Sequence, residues 1–397
     1  MNPKTFAVIG RGYGDEGKGL ATDFLAGLFE HDKCIVVRHN GGAQSGHTVE
    51  KKTGERFVFH ELSSGSLSGA HTFWAKTFIP DLYKLEEEAA DFRNKFGYVP
   101  EIFADEEANI TLYFDVMINM AIETKRGASR HGSCGMGINE ADLRVKAGYG
   151  LTIGDVFSSD AKKLAEMLRT IRDEYVKVRL RELELEVDHP EEIFDDEILE
   201  GFALMLCENR SLITPVTSAA DLIKRYDGVI FETGQGLLLD ADCEESLPNV
   251  TASKTGLTNI VRLCGEWDLK PDGVLYVTRS YVTKHGPGVL ACECTKESLS
   301  ITECDMTNVH NEWQGNLRYA RFKDMDSMLA PVLADMKLLP DCPAALFVTH
   351  LNETSDHIRT EIGDFTTEEL AEKCAGKGIG KVILSRSRYA SECVPLR

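Results

Sequence analysis

No Cys-x-x-Cys pair occurs in this chain, and its tightest cysteine pair, Cys292 and Cys294, has one residue between them. A zinc finger or ribbon needs two spaced pairs, so no zinc module is expected. The eleven cysteines are an odd number, and free thiols imply a reducing, cytoplasmic setting rather than an exported disulfide scaffold. No basic segment leading into an apolar run opens the chain, so no secretory signal is expected. No stretch approaches the ~20 apolar residues of a membrane span. Positive charge is also scarce: 44 Lys and Arg stand against 64 Asp and Glu, a formal −20. A field of that sign repels phosphate polymers and anionic lipid, which argues against nucleic acid or a membrane as partner. It leaves room for a local basic pocket that takes a mononucleotide.

What is present is alternation. Apolar runs at Phe6–Ile9, Cys34–Arg38, Asn109–Phe114, Gly228–Phe231, Val274–Thr278, Ala345–Thr349 and Lys381–Ser385 read as strands, the last being the final one. Leu164, Met167, Leu168, Ile171, Tyr175 and Val178 recur at helical spacing within 160–181, and an acidic stretch follows to about 200. Thr367–Cys374 reads as a capped helix. No repeat or low-complexity linker interrupts the 397 residues. The expectation is one large α/β domain over 1–397, with a central, mostly parallel sheet and a helical excursion at about 160–205. Polar loops fall at the C-terminal ends of the strands, where open α/β sheets bind ligands.

Four glycine loops carry the chemistry. The first, Gly10-Arg11-Gly12-Tyr13-Gly14-Asp15-Glu16-Gly17-Lys18-Gly19, lies between a strand and a helix-like run. Glycines let backbone N–H groups converge on an anion, and a helix N-terminus adds partial positive charge. Gly12 to Lys18 matches G-x-x-x-x-G-K, but Gly19 stands where a P-loop has Ser or Thr. Asp15 and Glu16 are unusual inside such a loop, and suggest a carboxylate that binds a metal or acts as a base beside the nucleotide. The second loop, Arg38–Thr48, holds Gln44, Gly46, His47 and Thr48. His47 is the best general-acid candidate, because imidazole titrates near neutral pH. The third, Gly132-Ser133-Cys134-Gly135-Met136-Gly137, could cradle another phosphate. The fourth, Glu232-Thr233-Gly234-Gln235-Gly236, places an amide where it could read a base edge.

Together these loops resemble adenylosuccinate synthetase, the ligase that joins aspartate to a purine nucleotide. The family's W-G-D-E-G-K-G appears as Tyr13–Gly19, its G-G-x-x-A-G-H-T as Gly41–Thr48, its H-x-x-P-S-G as His60–Gly65, its F-E-G-A-Q-G as Phe231–Gly236 and its P-x-V-T-S-S as Pro248–Ser253. The resemblance implies that Asp15 takes the proton from purine N1 and coordinates Mg²⁺, with Gly46 offering its carbonyl to the metal. It implies that His47 stabilises the oxygen where charge develops, Lys18 neutralises phosphate, Gln235 holds the base, and Thr251 contacts the monophosphate. Gly12, Gly14, Glu16, Gly17, Gly19, Gln44, Thr48, Ser133 and Cys134 join the nucleotide and phosphate contacts. A homodimer is implied too, with Arg144 standing in for an arginine that reaches across it.

Departures from the pattern bear on specificity. The family reads guanine of GTP with T-K-L-D, here Thr349-His350-Leu351-Asn352. A carboxylate accepts from guanine N1–H and N2–H, with charged hydrogen bonds worth roughly 1.5–3 kcal/mol against about 1 for neutral ones. Asn352 offers one acceptor and suits adenine, so ATP is the expected donor. The aspartate-binding G-R-x-R is Gly315-Asn316-Leu317-Arg318. Arg318 is kept for an aspartate carboxylate, and Asn316 replaces an arginine near the ribose 2′-hydroxyl. This combination resembles the viral branch that makes 2-aminoadenylosuccinate from dGMP, in the form that retains the loop aspartate; IMP is the alternative substrate.

Overall fold

The computed structural model describes residues 2–127, 130–187, 189–302 and 315–396. Ten strands form its central sheet: β1 (Lys4–Gly10), β2 (Cys34–Arg38), β3 (His71–Trp74), β4 (Ile102–Asp105), β5 (Thr214–Val216), β6 (Gly228–Glu232), β7 (Gly273–Arg279), β8 (Ala344–Thr349), β9 (Ile379–Leu384) and β10 (Val394–Leu396). Their spatial order is β10-β9-β8-β7-β1-β6-β2-β3-β4-β5. Every neighbouring pair is parallel except β9 with β10. The α/β class and mostly parallel sheet are therefore as expected.

The central strands are apolar on both faces because both faces are covered. Ala7, Ile9, Ile35, Val37, Val229 and Phe231 pack into one cluster. Their alternates Val8, Val36 and Ile230 pack with Leu20, Ala21 and Leu25 of helix α1 (Lys18–Ala26) on the other face. A further apolar cluster lies under a helical layer at 161–209, which is joined through Leu85 and Phe92 of α2 (Leu82–Phe96). The helical spacing within 160–181 holds, as an α-helix to Thr170, a π turn to Val176 and helix again to Glu182.

Two strand expectations need correction. Asn109–Phe114 is not a strand: helix α3 (Tyr113–Arg126) begins there, because the Asp115 carboxylate accepts the Leu112 N–H at 2.8 Å and caps it. The run at 381–385 is not the last strand, since β10 returns antiparallel along it. Among the described residues no helix is long and apolar enough to cross a membrane, and every described cysteine is free.

Candidate active site

The loops after β1, β2, β6 and β7 meet at the C-terminal edge of the sheet around a cavity of about 330 Å³. Gly14, Asp15, Lys18, Gln44, Gly46 and His47 line it, together with Ser133, Cys134, Gln235 and Thr251. Residues scattered over most of the chain are thereby brought to one place.

The first loop is held from behind. Arg279 at the end of β7 donates to the Asp15 carbonyl at 2.6 Å, and Thr349 at the end of β8 donates to the Glu16 carbonyl at 2.7 Å. Asp15 itself has φ 59°, a left-handed conformation uncommon outside glycine, and its side chain is one-quarter exposed to the cavity. Glu16 corrects the expectation made for it. Its Oε1 accepts the N–H groups of Gly12 and Gly14 at 2.8 and 2.9 Å, and its Oε2 accepts from Lys18 Nζ at 2.9 Å. The residue is buried and does not line the cavity. A carboxylate thus occupies amide donors that a P-loop would turn toward phosphate, so Glu16 belongs to the loop's own structure. Gly12, Gly17, Gly19 and Thr48 lie behind the lining: Gly17 takes φ 94° ahead of α1, and a Cβ on Gly19 would meet the Thr48 carbonyl at 3.0 Å.

His47 opens a short strand, His47–Glu50, of a hairpin with Arg56–Phe59. Its Nδ1 lies 2.8 Å from Glu232 Oε1. Glu232 ends β6 and is wholly buried; its Oε2 accepts the Ser64 N–H at 3.2 Å and sits 3.6 Å from Arg38 Nη1. Burial raises the Glu232 carboxyl, but His47, Arg38 and Ser64 outweigh it and hold the pKa at about 2, so it stays ionised. Burial lowers the His47 imidazole, opposed by Glu232. The neutral ring therefore keeps its proton on Nδ1 toward Glu232, and Nε2 can take up a proton whose charge Glu232 offsets.

Gln235 follows with φ 55°, and its buried Oε1 has no hydrogen-bond partner. Gln44 turns back to accept the Gly42 N–H at 2.7 Å. Ser133 donates to Asn119 Oδ1 at 2.8 Å. Burial pushes the Cys134 thiol up to about 11, so it is no nucleophile at neutral pH. For Mg²⁺, the Asp15 carboxylate and a carbonyl at Gly46, both on the cavity lining, suit an ion held mainly by phosphates and water. No group of three or more potential metal ligands exists among the described residues.

Three further placements differ from expectation. Arg144 is fully buried in α4 (Ile138–Lys146), with Nε and Nη2 on Asp115 at 2.9 and 2.8 Å and its other donors on the Ile110 and Tyr149 carbonyls. Its donors are all filled within the chain and none is presented at a surface. Arg318 pairs with both oxygens of Glu293 and donates to the Gly286 and Gly288 carbonyls. Asn316 and Asn352 are exposed and do not line the cavity.

Several residues on or beside the cavity went unread in the sequence. Lys284, the last residue of a short strand Val282–Lys284 paired with Arg318–Ala320, and His285, which follows it, enter the cavity, with His285 Nε2 3.5 Å from Asp15 Oδ2. The pattern Lys284-His285-Gly286-Pro287-Gly288, a glycine turn just past a strand, was the available signal. Asn119 enters from α3 with no motif to mark it. Glu232 lay inside a recognised motif but only the fold pairs it with His47.

The family model for adenylosuccinate synthetase matches residues 7–315. The chain belongs to the adenylosuccinate synthetase family. Adenylosuccinate synthetase of Pseudomonas syringae pv. syringae is 33% identical over 302 residues, covering 73% of this chain and 65% of that protein. The Mycolicibacterium smegmatis enzyme is 28% identical over 293 residues, with the same coverage. The chain thus spans about 65% of the length of these relatives. Fully ligated adenylosuccinate synthetase from Plasmodium falciparum superposes with a TM-score of 0.72 at 16% identity, covering 99% of both chains. A cyanophage S-2L succinoaminodeoxyadenylate synthetase, bound to dGMP and dATP as an energy donor, gives 0.63 at 15% identity, covering 99% of this chain and 95% of that one. Both likenesses concern the fold.

Proposed function

We propose that this chain is an NTP-dependent carbon–nitrogen ligase that joins L-aspartate to C6 of a purine nucleoside monophosphate through a 6-phosphoryl intermediate. The carrying observation is the buried His47–Glu232 pair opening onto the same cavity as Asp15 and Lys18. Asp15 takes the proton from purine N1, its side chain open to the cavity. O6 then attacks the γ-phosphorus and the nucleoside diphosphate leaves. His47, protonated on Nε2 and backed by Glu232, donates to the oxygen where charge builds up. The aspartate amine attacks C6 and inorganic phosphate departs with the O6 oxygen, a far better leaving group than the oxo group it replaces. Gln235, with its unsatisfied carbonyl, holds the base. Thr251 and Ser133 contact the monophosphate from the cavity wall. Asp15 and the Gly46 carbonyl would hold Mg²⁺, which would supply neutralisation of phosphate charge.

Within this chemistry the favoured pairing is dGMP with ATP. Support comes from the residue types Asn352 and Asn316, both of which lie outside the cavity, and from the cyanophage structure bound to dGMP and dATP. The curated sequence relatives are ordinary adenylosuccinate synthetases, which favours IMP with GTP as the second reading. Phosphate release with Mg²⁺ and L-aspartate, comparing dGMP with IMP and ATP with GTP, separates them. Turnover with dGMP and ATP and little with IMP supports the first pairing; turnover with IMP and GTP alone supports the second. No turnover with any pairing would leave a non-catalytic nucleotide-binding homologue. A homodimer belongs to the same proposal, and sedimentation velocity measures it directly.

A further inference from the structure

A chain of side chains runs from the helical turn Leu351–Thr354 to the main chain of Asp15. Arg279 donates from Nε to the Asp15 carbonyl at 2.6 Å and from Nη1 to the Tyr281 hydroxyl at 3.0 Å. Tyr281 donates to Glu353 Oε2, and Glu353 Oε1 lies 2.9 Å from His350 Nδ1. Arg279 and Tyr281 are buried, and the Glu353 side chain is one-tenth exposed. None of the three lines the cavity. A guanidinium has no acceptor, so the Tyr281 oxygen accepts from Arg279 and its one proton is left for Glu353. Burial raises the Tyr281 hydroxyl and keeps that proton on it. Burial also raises the Glu353 carboxyl, but His350, Tyr281 and Arg279 outweigh it, so the carboxylate stays an ionised acceptor. Every link runs one way, from guanidinium to hydroxyl to carboxylate, and such links strengthen one another where water is excluded.

The same segment grips the first loop a second time. Thr349 donates to the Glu16 carbonyl at 2.7 Å, and Ser280 Oγ donates to the His350 carbonyl at 3.1 Å. Two successive carbonyls of the loop are thus fixed from one place, Glu16 directly and Asp15 at two removes. Asp15 has φ 59°, which persists in a non-glycine residue only where its surroundings enforce it. A void of about 10 Å³ is bounded by Gly12, Tyr13, Gly14, Arg279 and Tyr281, so packing alone does not hold the loop at this point. We propose that Tyr281 and Glu353 are positioning residues for Asp15: acting through Arg279, they hold its main chain at the point from which its carboxylate enters the cavity. The kinetic consequence rests on the ligase reading of Asp15. The mechanical link does not.

The test uses the full chain and two independent readouts. Tyr281→Phe removes two links at nearly constant shape. It should lower kcat at least tenfold while KM for the monophosphate and for L-aspartate changes less than twofold, and Glu353→Ala should do the same. Glu353→Gln should stay within threefold of the wild-type kcat, because a carboxamide oxygen still accepts from Tyr281. Hydrogen–deuterium exchange without substrate, mapped by mass spectrometry, should be at least fivefold faster over 12–19 in Tyr281→Phe and Glu353→Ala, with β1 and β7 unchanged and Glu353→Gln like the wild type. Faster exchange confined to 349–355 would overturn the proposal, and so would a kcat loss matched by a rise in both KM values. Wild-type kcat in Glu353→Ala would overturn it as well, even if Tyr281→Phe failed to fold. Faster exchange over 12–19 in a protein whose wild type shows no turnover would keep the link and defeat the ligase reading instead.

Discussion

At the scale of single residues, two buried ion pairs of similar appearance have different consequences. Glu232 backs a cavity-lining histidine, whereas Asp115 backs an arginine with no access to the cavity. Glu232→Gln keeps the shape and removes the anion, so kcat should fall by about two orders of magnitude with KM values nearly unchanged. Steady-state kinetics of the variant decide this, and a large KM change would mean that the pair serves binding. Arg144→Ala leaves Asp115 buried and uncompensated, at a cost of about 3–5 kcal/mol. Urea unfolding should show that loss while KM for the monophosphate stays within twofold. A raised KM at unchanged stability would restore Arg144 to the nucleotide contacts that its sequence position had suggested.

At the scale of elements, the site depends on how closely the loops after β1 and β6 approach each other. A Cβ on Gly236 would meet the Gly12 carbonyl oxygen at 2.4 Å and Glu16 Oε1 at 2.8 Å. The Leu238 N–H donates to that same Gly12 carbonyl at 3.0 Å. Backbone lies against backbone, so no side chain can yield. Gly236→Ala should therefore push the loops apart, lowering stability by about 1–3 kcal/mol and turnover at least tenfold; thermal melts and initial rates measure both. Wild-type values for either would mean that the loop after β1 tolerates displacement. This constraint was half legible in the sequence. The glycines and their order stand out, but which loop presses on which follows from β1 lying next to β6, a pairing of residues more than two hundred positions apart.

For the whole molecule, the buried titratable groups pull stability in opposite directions. His39 is pressed down to about 3 by burial, and His47 is lowered too. The unfolded chain protonates both near 6.5 while the fold resists, so they cost stability as pH falls below 6.5. Glu88 is raised by burial to about 7 and Glu61 well above its ordinary value. Their protonated forms favour the fold, so their stabilisation is full below about 4.5 and is lost as pH rises through the folded values. Between 6.5 and 4.5 the two sets offset. Below 4.5 the carboxyls no longer help, and Glu232, at about 2 in the fold, begins to lose its stabilising charge. The expected profile is a plateau from 6.5 to 4.5, then a loss steeper than ~1.4 kcal/mol per pH unit, the slope for one proton. Denaturant midpoints by fluorescence of the buried Trp74 and Trp267 and by circular dichroism should trace it together; a steady decline from 6.5 would show the buried carboxyls to be ionised in the fold. Alternating apolar runs marked most of the sheet strands in the sequence. The short strands β3, β4, β5 and β10 escaped because three or four residues carry too little pattern. Lys284 escaped for another reason: only the fold brings it to the cavity wall.

The carboxylate of Glu16 inside its own loop gives that loop a resident counter-anion. A phosphate-binding loop that waits empty must hold its converging dipoles apart until a ligand arrives, or collapse and reopen. Here the convergence is already neutralised by Glu16, so the loop is expected to keep one shape with or without a ligand. A ligand in the cavity would then be discriminated by the groups left unsatisfied around it, the Gln235 carbonyl among them.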